Sequence, residues 1–272
     1  MTILEQILDY KRAEELPRSM RELPLEVVQA RAAAAPPARD LVAALRSAPG
    51  VALIAEVKRA SPSKGVLRPD WDPVRLATAY AANGARAISV LTDARFFQGS
   101  LDHLAQIRQA LDGHAPGANG HGPLPLLRKD FIFHPYQVYE ARAAGADALL
   151  LIAAILSDRE LADLLALTCD LGMAALIEVH SREELLRALP LAPRLVGVNN
   201  RDLRDFRVDL NTCLSLRPLV PPEVCFVAES GIHTRADVDR LAAAGVDAAL
   251  VGEALVTAAD VGAKVRELVD GR

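Results

Sequence analysis

The chain runs to 272 residues, 51% hydrophobic and 24% charged, with 31 Lys and Arg against 35 Asp and Glu. That balance excludes disorder as the main state and leaves enough length for a full buried core. A formal net charge of −4 gives no general pull toward a polyanion, so nucleic acid is not expected as a partner.

Met1 to Tyr10 carries Glu5 and Asp9 among its apolar residues, unlike the basic start and long apolar run of a secretory signal. No apolar stretch approaches membrane-spanning length, so no membrane association is expected. Residues 1–48 open on a helical pattern (ILEQILDYKRAEEL) and pass into an Ala/Pro-rich stretch around Pro36 and Pro37. They read as an N-terminal helical extension of one domain spanning 1–272, not as a domain of their own.

From Val51 onward, short β-branched runs alternate with segments of helical period. The runs are Val51 to Val57, Ala87 to Leu91, Leu124 to Leu127, Ala148 to Ile152, Ala174 to Val179, Leu195 to Val198, Val224 to Ala228 and Ala248 to Val251. The helical segments between them include Pro73 to Ala82, Leu101 to Leu111, Tyr136 to Ala144, Asp158 to Leu171, Arg182 to Leu189 and Arg235 to Ala244.

A glycine closes several helices just before the next strand, in NGARAISV at Asn83, AGADALLL at Ala144 and AGVDAALV at Ala244. Strands apolar throughout are buried on both faces, and a crossover helix after each makes them parallel. Eight such units predict an α/β fold, a closed (β/α)8 TIM barrel, over an open doubly wound sheet. Gly117, Gly120 and Gly122 are wrongly spaced for a dinucleotide-binding turn. The unpatterned segment Asp112 to Pro123 is a loop on the rim away from the strand ends, expected to be silent.

In such a barrel the chemistry gathers where the strands end. Glu56 and Lys58 stand two apart on the first strand and therefore share a face, which at the mouth points inward. Lys129 ends the third strand and Glu178 the fifth, so two lysines and two carboxylates are expected to converge. Burial and mutual proximity would tune them for acid–base work, the alternative being an ion-pair network of purely structural purpose. Ser230-Gly231 and Gly252, at the ends of the last two strands, suit a phosphate grip built from backbone N–H groups.

The segments IAEVKRASPSKG (Ile54 to Gly65), LTDARFFQGS (Leu91 to Ser100), LLRKDFIFHPYQVYEARAAGADALLLI (Leu126 to Ile152), LIEVH (Leu176 to His180), VGVNNRDL (Val196 to Leu203), VAESGI (Val227 to Ile232) and VGEAL (Val251 to Leu255) follow one another along the chain. Together they resemble the indole-3-glycerol phosphate synthase family.

The resemblance implies a cofactor-free, metal-free carboxy-lyase of tryptophan biosynthesis. It would convert 1-(2-carboxyphenylamino)-1-deoxyribulose 5-phosphate to indole-3-glycerol phosphate with loss of carbon dioxide and water. It further implies Lys129 as the acid for ring closure, Glu178 as its ion-pair partner, and Lys58 and Glu56 as acid and base of the dehydration. Asn199 would orient hydroxyls or acid–base groups, Arg201 would pair with the substrate carboxylate, and Ser61 would hold an anionic group. Phe97 and Phe131 would sandwich the anthranilate ring. Ser230, Gly231, Gly252 and the Glu253 N–H would hold the phosphate, with the Glu253 carboxylate turned away. An N-terminal helix covers the mouth in relatives, so shielding of the substrate is expected by analogy.

A Schiff-base aldolase acting through Lys58 or Lys129, a phosphoribosylanthranilate isomerase, and an inactive phosphate-binding barrel are the rival readings. Cys169, Cys213 and Cys225 show no C-x-x-C spacing and suit reduced thiols in a cytoplasmic protein. His134, His180 and His233 do not fall at metal-ligand spacing, and His114 and His121 are expected in solvent. Trp71 reads as local packing. A monomer is expected, associating at most weakly with other tryptophan-pathway enzymes.

Overall fold

The computed structural model describes residues 2–48, 50–62, 64–113, 122–202 and 207–271. Residues 114–121 of the expected silent loop, with His114 and His121, and Leu203 of the VGVNNRDL segment lie outside them.

Eight strands, Ala52–Val57, Ala87–Leu91, Leu126–Lys129, Ala148–Ile152, Ala174–Val179, Leu195–Asn199, Cys225–Glu229 and Ala248–Val251, close into one barrel in chain order. Every neighbouring pair is parallel. They are called here the first to eighth strands. The third and seventh begin one or two residues later than their apolar runs and extend to Lys129 and Glu229, because pairing to the neighbours, not hydrophobicity, sets where a strand ends.

The helix-closing glycines behave alike. Gly84, Gly145 and Gly245 take φ of 113°, 90° and 74°, and the N–H one residue on returns to the carbonyl of Tyr80, Ala141 or Leu241. In two of these turns the aspartate that follows also accepts a backbone N–H at the base of the preceding strand: Asp147 from Leu126 at 2.7 Å and Asp247 from Phe226 at 2.8 Å. Trp71 packs against the core and meets His103 edge-on at 5.9 Å.

Side chains alternate strictly between two buried layers. Ile54, Leu127, Leu150, Ile152, Leu176, Leu195, Val227 and Leu250 fill the barrel interior, while Ala55, Val57, Ile177, Val198, Ala228 and Val251 face the surrounding helices. The short helix Leu41–Arg46, N-capped by Asp40, plugs the interior with Leu41, Val42 and Leu45. Continued two residues at a time, the interior parity delivers Glu56, Lys58, Lys129, Glu178, Asn199, Glu229 and Gly252 to the mouth at the carboxyl ends.

The extension runs past the barrel from that mouth to the plugged end. Helix Ile3–Tyr10, capped by a reciprocal Thr2–Glu5 box, continues through a π-helical turn, Lys11–Glu15, into Leu16–Glu22. Helix Leu25–Ala34 then packs on the barrel helix Pro135–Ala143, whose Tyr136 hydroxyl lies 2.9 Å from the carbonyls of Ser19 and Leu23.

Candidate active site

A cavity of about 200 Å³ opens at the mouth, roofed on one side by Ile3, Leu4 and Ile7 of the first helix. All thirteen residues expected to act there line it: Glu56, Lys58, Ser61, Phe97, Lys129, Phe131, Glu178, Asn199, Arg201, Ser230, Gly231, Gly252 and Glu253.

Its floor is a network of buried charge. Lys58 Nζ lies 2.8 Å from Glu56 Oε1, and Lys129 Nζ lies 3.3 Å from Glu178 Oε2 and 3.5 Å from Glu229 Oε2. Burial alone would discharge the Lys129 ammonium, but Glu178, Glu229 and Glu56 together outweigh it and raise its pKa. Burial likewise opposes the charge of Glu56, yet Lys58 and Lys129 hold its pKa low. Glu178 is depressed further, burial being overcome by Lys129, by His180 and by a side-chain hydrogen bond from Asn199.

Glu229 goes the other way. It is 1% exposed, neither of its carboxylate oxygens receives a hydrogen bond from a donor among the described residues, and burial, the Glu178 charge and a side-chain hydrogen bond shared with Glu178 push its pKa up. The two adjacent carboxyls are thus pushed in opposite directions, the division of labour that acid–base sites rely on. In the sequence Glu229 falls within the VAESGI segment, just past the seventh apolar run, and carries no assigned role. The parity argument that picked out Glu56 and Lys58 applies equally to it, two residues beyond the interior-facing Val227.

Two glycines make room for these acids. A methyl group at Gly252 would overlap Glu56 Oε1, and one at Gly197 would overlap Glu229 Oε1. Gly252 therefore serves the carboxylate as well as any backbone approach by an anion. Gly197→Ala is expected to cost roughly 1–3 kcal/mol by overpacking and to displace Glu229. Urea denaturation of the variant with parallel turnover measurements checks this, and unchanged values of both would refute the fit.

The loops add the rest. Ser61 lies in a small hairpin pairing Ala60–Ser61 with Gly65–Val66, and Lys64 at its tip reaches Glu253 Oε1 at 2.5 Å. The Glu253 carboxylate is thereby taken up by a lysine instead of being left to face an anion. Ser230 and Gly231 adopt φ of 65° and 78°, and Ser230 is strained there as a non-glycine residue. Asn200, buried beside Asn199, fixes that turn by donating from Nδ2 to the Ser230 carbonyl at 3.1 Å while its Oδ1 accepts the Cys213 N–H at 3.0 Å. Arg201 donates its backbone N–H to Asn199 Oδ1 at 3.0 Å.

The phenylalanines depart from expectation. Phe97 and Phe131 lie 6.1 Å apart at 37°, the spacing of rings in mutual contact, so they form one wall instead of an open slot for a third ring.

Behind that wall lies a node that the sequence did not disclose. Lys11, 1% exposed, places Nζ 2.6 Å from Glu15, 2.8 Å from Asp130 and 3.2 Å from Asp93. Asp93 caps the N–H groups of Phe96 and Phe97 at 2.7 and 3.2 Å, and Asp130 accepts the Phe131 N–H at 2.8 Å. One ammonium therefore ties the covering helix to both aromatic segments.

The profile described as "Indole-3-glycerol phosphate synthase" matches residues 4–268. An indole-3-glycerol phosphate synthase from a Roseiflexus species is 57% identical over 99% of each chain, and that of Roseiflexus castenholzii 56% identical over 98% of each. Among solved structures, the thiamine phosphate pyrophosphorylase from Pyrococcus furiosus shares the fold. Its TM-score is 0.60 at 20% identity, covering 84% of this chain and 96% of that one.

Proposed function

The chain belongs to the indole-3-glycerol phosphate synthase family, and on that premise we propose that it closes the indole ring of 1-(2-carboxyphenylamino)-1-deoxyribulose 5-phosphate, with loss of carbon dioxide and water. The observation that carries the reading is the meeting of the Lys129–Glu178 and Lys58–Glu56 pairs in one cavity.

Attack of the carboxylate-bearing ring carbon on the ketose carbonyl builds negative charge on its oxygen. Lys129, kept protonated by the carboxylates around it, is the donor placed to quench it. Neutral Glu229 beside it is the proton store from which the lysine is recharged. Loss of carbon dioxide leaves a hydroxyl to be expelled as water, for which Lys58 supplies the proton while Glu56 removes one from the ring system.

Ser61, Ser230, Gly231, Gly252 and the Glu253 N–H are assigned to the phosphate, Arg201 to the substrate carboxylate, and Asn199 to positioning Glu178. The substrate ring rests on the Phe97–Phe131 wall. These transfers balance with the chain's own side chains, so the reading calls for no cofactor. A raised Lys129 also disfavours the aldolase alternative, since a Schiff-base lysine must lose its proton to act as a nucleophile.

In this reading the chain is one domain that works as a cytoplasmic monomer on a small phosphorylated substrate, without nucleic acid, membrane or more than weak association with other tryptophan-pathway enzymes. Among the described residues no helix is long and apolar enough to cross a membrane. The test is to add the substrate and follow indole fluorescence and released carbon dioxide. Both should appear together, and absence of either refutes the proposal.

A further inference from the structure

Glu178 holds a different cation on each oxygen. Oε2 faces Lys129, and Oε1 lies 3.2 Å from Nε2 of His180, two residues on and so on the same side of the fifth strand's end. The other ring nitrogen, Nδ1, lies 3.2 Å from Glu184 Oε2, which also accepts the His180 backbone N–H at 2.8 Å. Glu184 sits in the first turn of the helix Arg182–Ala188, where its own N–H is received by the capping Ser181 at 3.2 Å. The imidazole is thus wedged between two carboxylates whose positions are set by a strand and a capped helix.

A neutral imidazole has one N–H and one lone pair, so between two carboxylates one nitrogen would face an anion with no proton to offer. Only the doubly protonated ring serves both, through a hydrogen bond at Nδ1 and, at Nε2, a close ion-pair contact whose alignment falls short of a hydrogen bond. Burial works against that charge, but Glu178 and Glu184 prevail and push the pKa up to about 10.

We propose that His180, braced by Glu184, is a positioning residue for the reaction: as a clamped imidazolium it keeps Glu178 ionised and turned toward Lys129, so that the proton shared by the neighbouring carboxyls resides on Glu229. This deepens the proposed function and rests on it for its kinetic consequence, though not for its structural one.

Charge balance supports the assignment. Glu184 and Glu178 face the ring directly. Beyond Glu178 stand Lys129 on the third strand, Glu229 on the seventh and the Glu56–Lys58 pair on the first, with the neutral Asn199 on the sixth. With His180 charged and Glu229 neutral, Lys58, Lys129 and His180 match Glu56, Glu178 and Glu184 one for one. Loss of the imidazolium leaves an excess negative charge, which raises the proton affinity of both Glu178 and Glu229.

The full chain labelled with 15N-histidine provides the first test. At pH 8 the His180 ring, assigned by its disappearance in His180→Asn, should show two protonated nitrogens, and a neutral tautomer there overturns the clamp. In turnover, His180→Asn should lower kcat roughly tenfold with KM changed less than about threefold, and should move the alkaline limb of the kcat profile upward by about half a pH unit or more. Glu184→Gln should produce the same pattern at smaller amplitude and serves alone if His180→Asn does not fold. Altered stability with an unmoved limb would mean His180 is only structural. Should the unaltered protein fail to turn over the substrate, the functional reading falls while the ring-nitrogen measurement still decides the clamp.

Discussion

Replacing Lys129 with methionine is expected to lower kcat by about 10³-fold, the order of effect seen when a positioned acid is removed from a developing oxyanion. KM should move far less, since the phosphate and carboxylate contacts assigned to Ser230, Gly231 and Arg201 lie elsewhere on the rim. Stability should fall, because losing the ammonium leaves one buried negative charge uncompensated, but by less than when an isolated pair is broken, since each remaining carboxylate keeps a neighbour. Glu178 keeps His180, Glu56 keeps Lys58, and burial already pushes the pKa of Glu229 up toward its uncharged form. The variant also sheds the cost of desolvating an ammonium, which offsets much of the lost attraction. Indole fluorescence under saturating substrate, with thermal unfolding followed by circular dichroism, separates the two effects. Retained turnover removes Lys129 from the acid's role, whereas lost turnover with collapsed folding would make its function structural.

The barrel was legible because its evidence is local. Each strand is an apolar run, each crossover has helical period, and the glycine that ends a helix sits at the same offset in three repeats, so counting units gave the closed architecture. Much of the floor was legible for a related reason: the two-residue period that puts Ile54 in the barrel also puts Glu56 and Lys58 there. Other features depend on distances the period does not carry. Glu229 looks like any polar strand end until Gly197 is seen to vacate the space its carboxylate fills. His180 and Glu184 resemble ordinary residues of a strand-to-helix turn, and only the placement of Glu178 makes the ring a bridge. The Phe97–Phe131 geometry could not be anticipated, because the strand period says which face a ring takes but not how two rings lean. Lys11 is the extreme case, more than eighty residues from its nearer barrel partner, Asp93, and brought to it by a π-helical turn that no composition signal announces.

Lys11 is therefore where a single substitution should most disturb the fold. Lys11→Met leaves Asp93 and Asp130, both buried, without the ammonium they share, and breaking a buried pair in this way costs about 3–5 kcal/mol. Asp130 retains Arg128 at 3.1 Å, so the uncompensated charge falls chiefly on Asp93, whose pKa burial already raises and which Lys11 restrains. Without that restraint the folded-state pKa of Asp93 climbs further above its unfolded value. A carboxyl shifted upward takes up a proton on folding, so its contribution is greatest at acid pH and is lost as pH rises through the folded pKa. The gap between Lys11→Met and the unaltered protein should accordingly be widest near pH 8 and narrow toward pH 5, as read by urea denaturation at the two values. KM should rise as well, because the helix carrying Ile3, Leu4 and Ile7 loses its anchor over the cavity. Lys11→Arg should recover part of the stability, as a guanidinium restores the charge but not the compact fit among three acids. A pH-independent gap would show that Lys11 acts through packing of its stem and not through its charge.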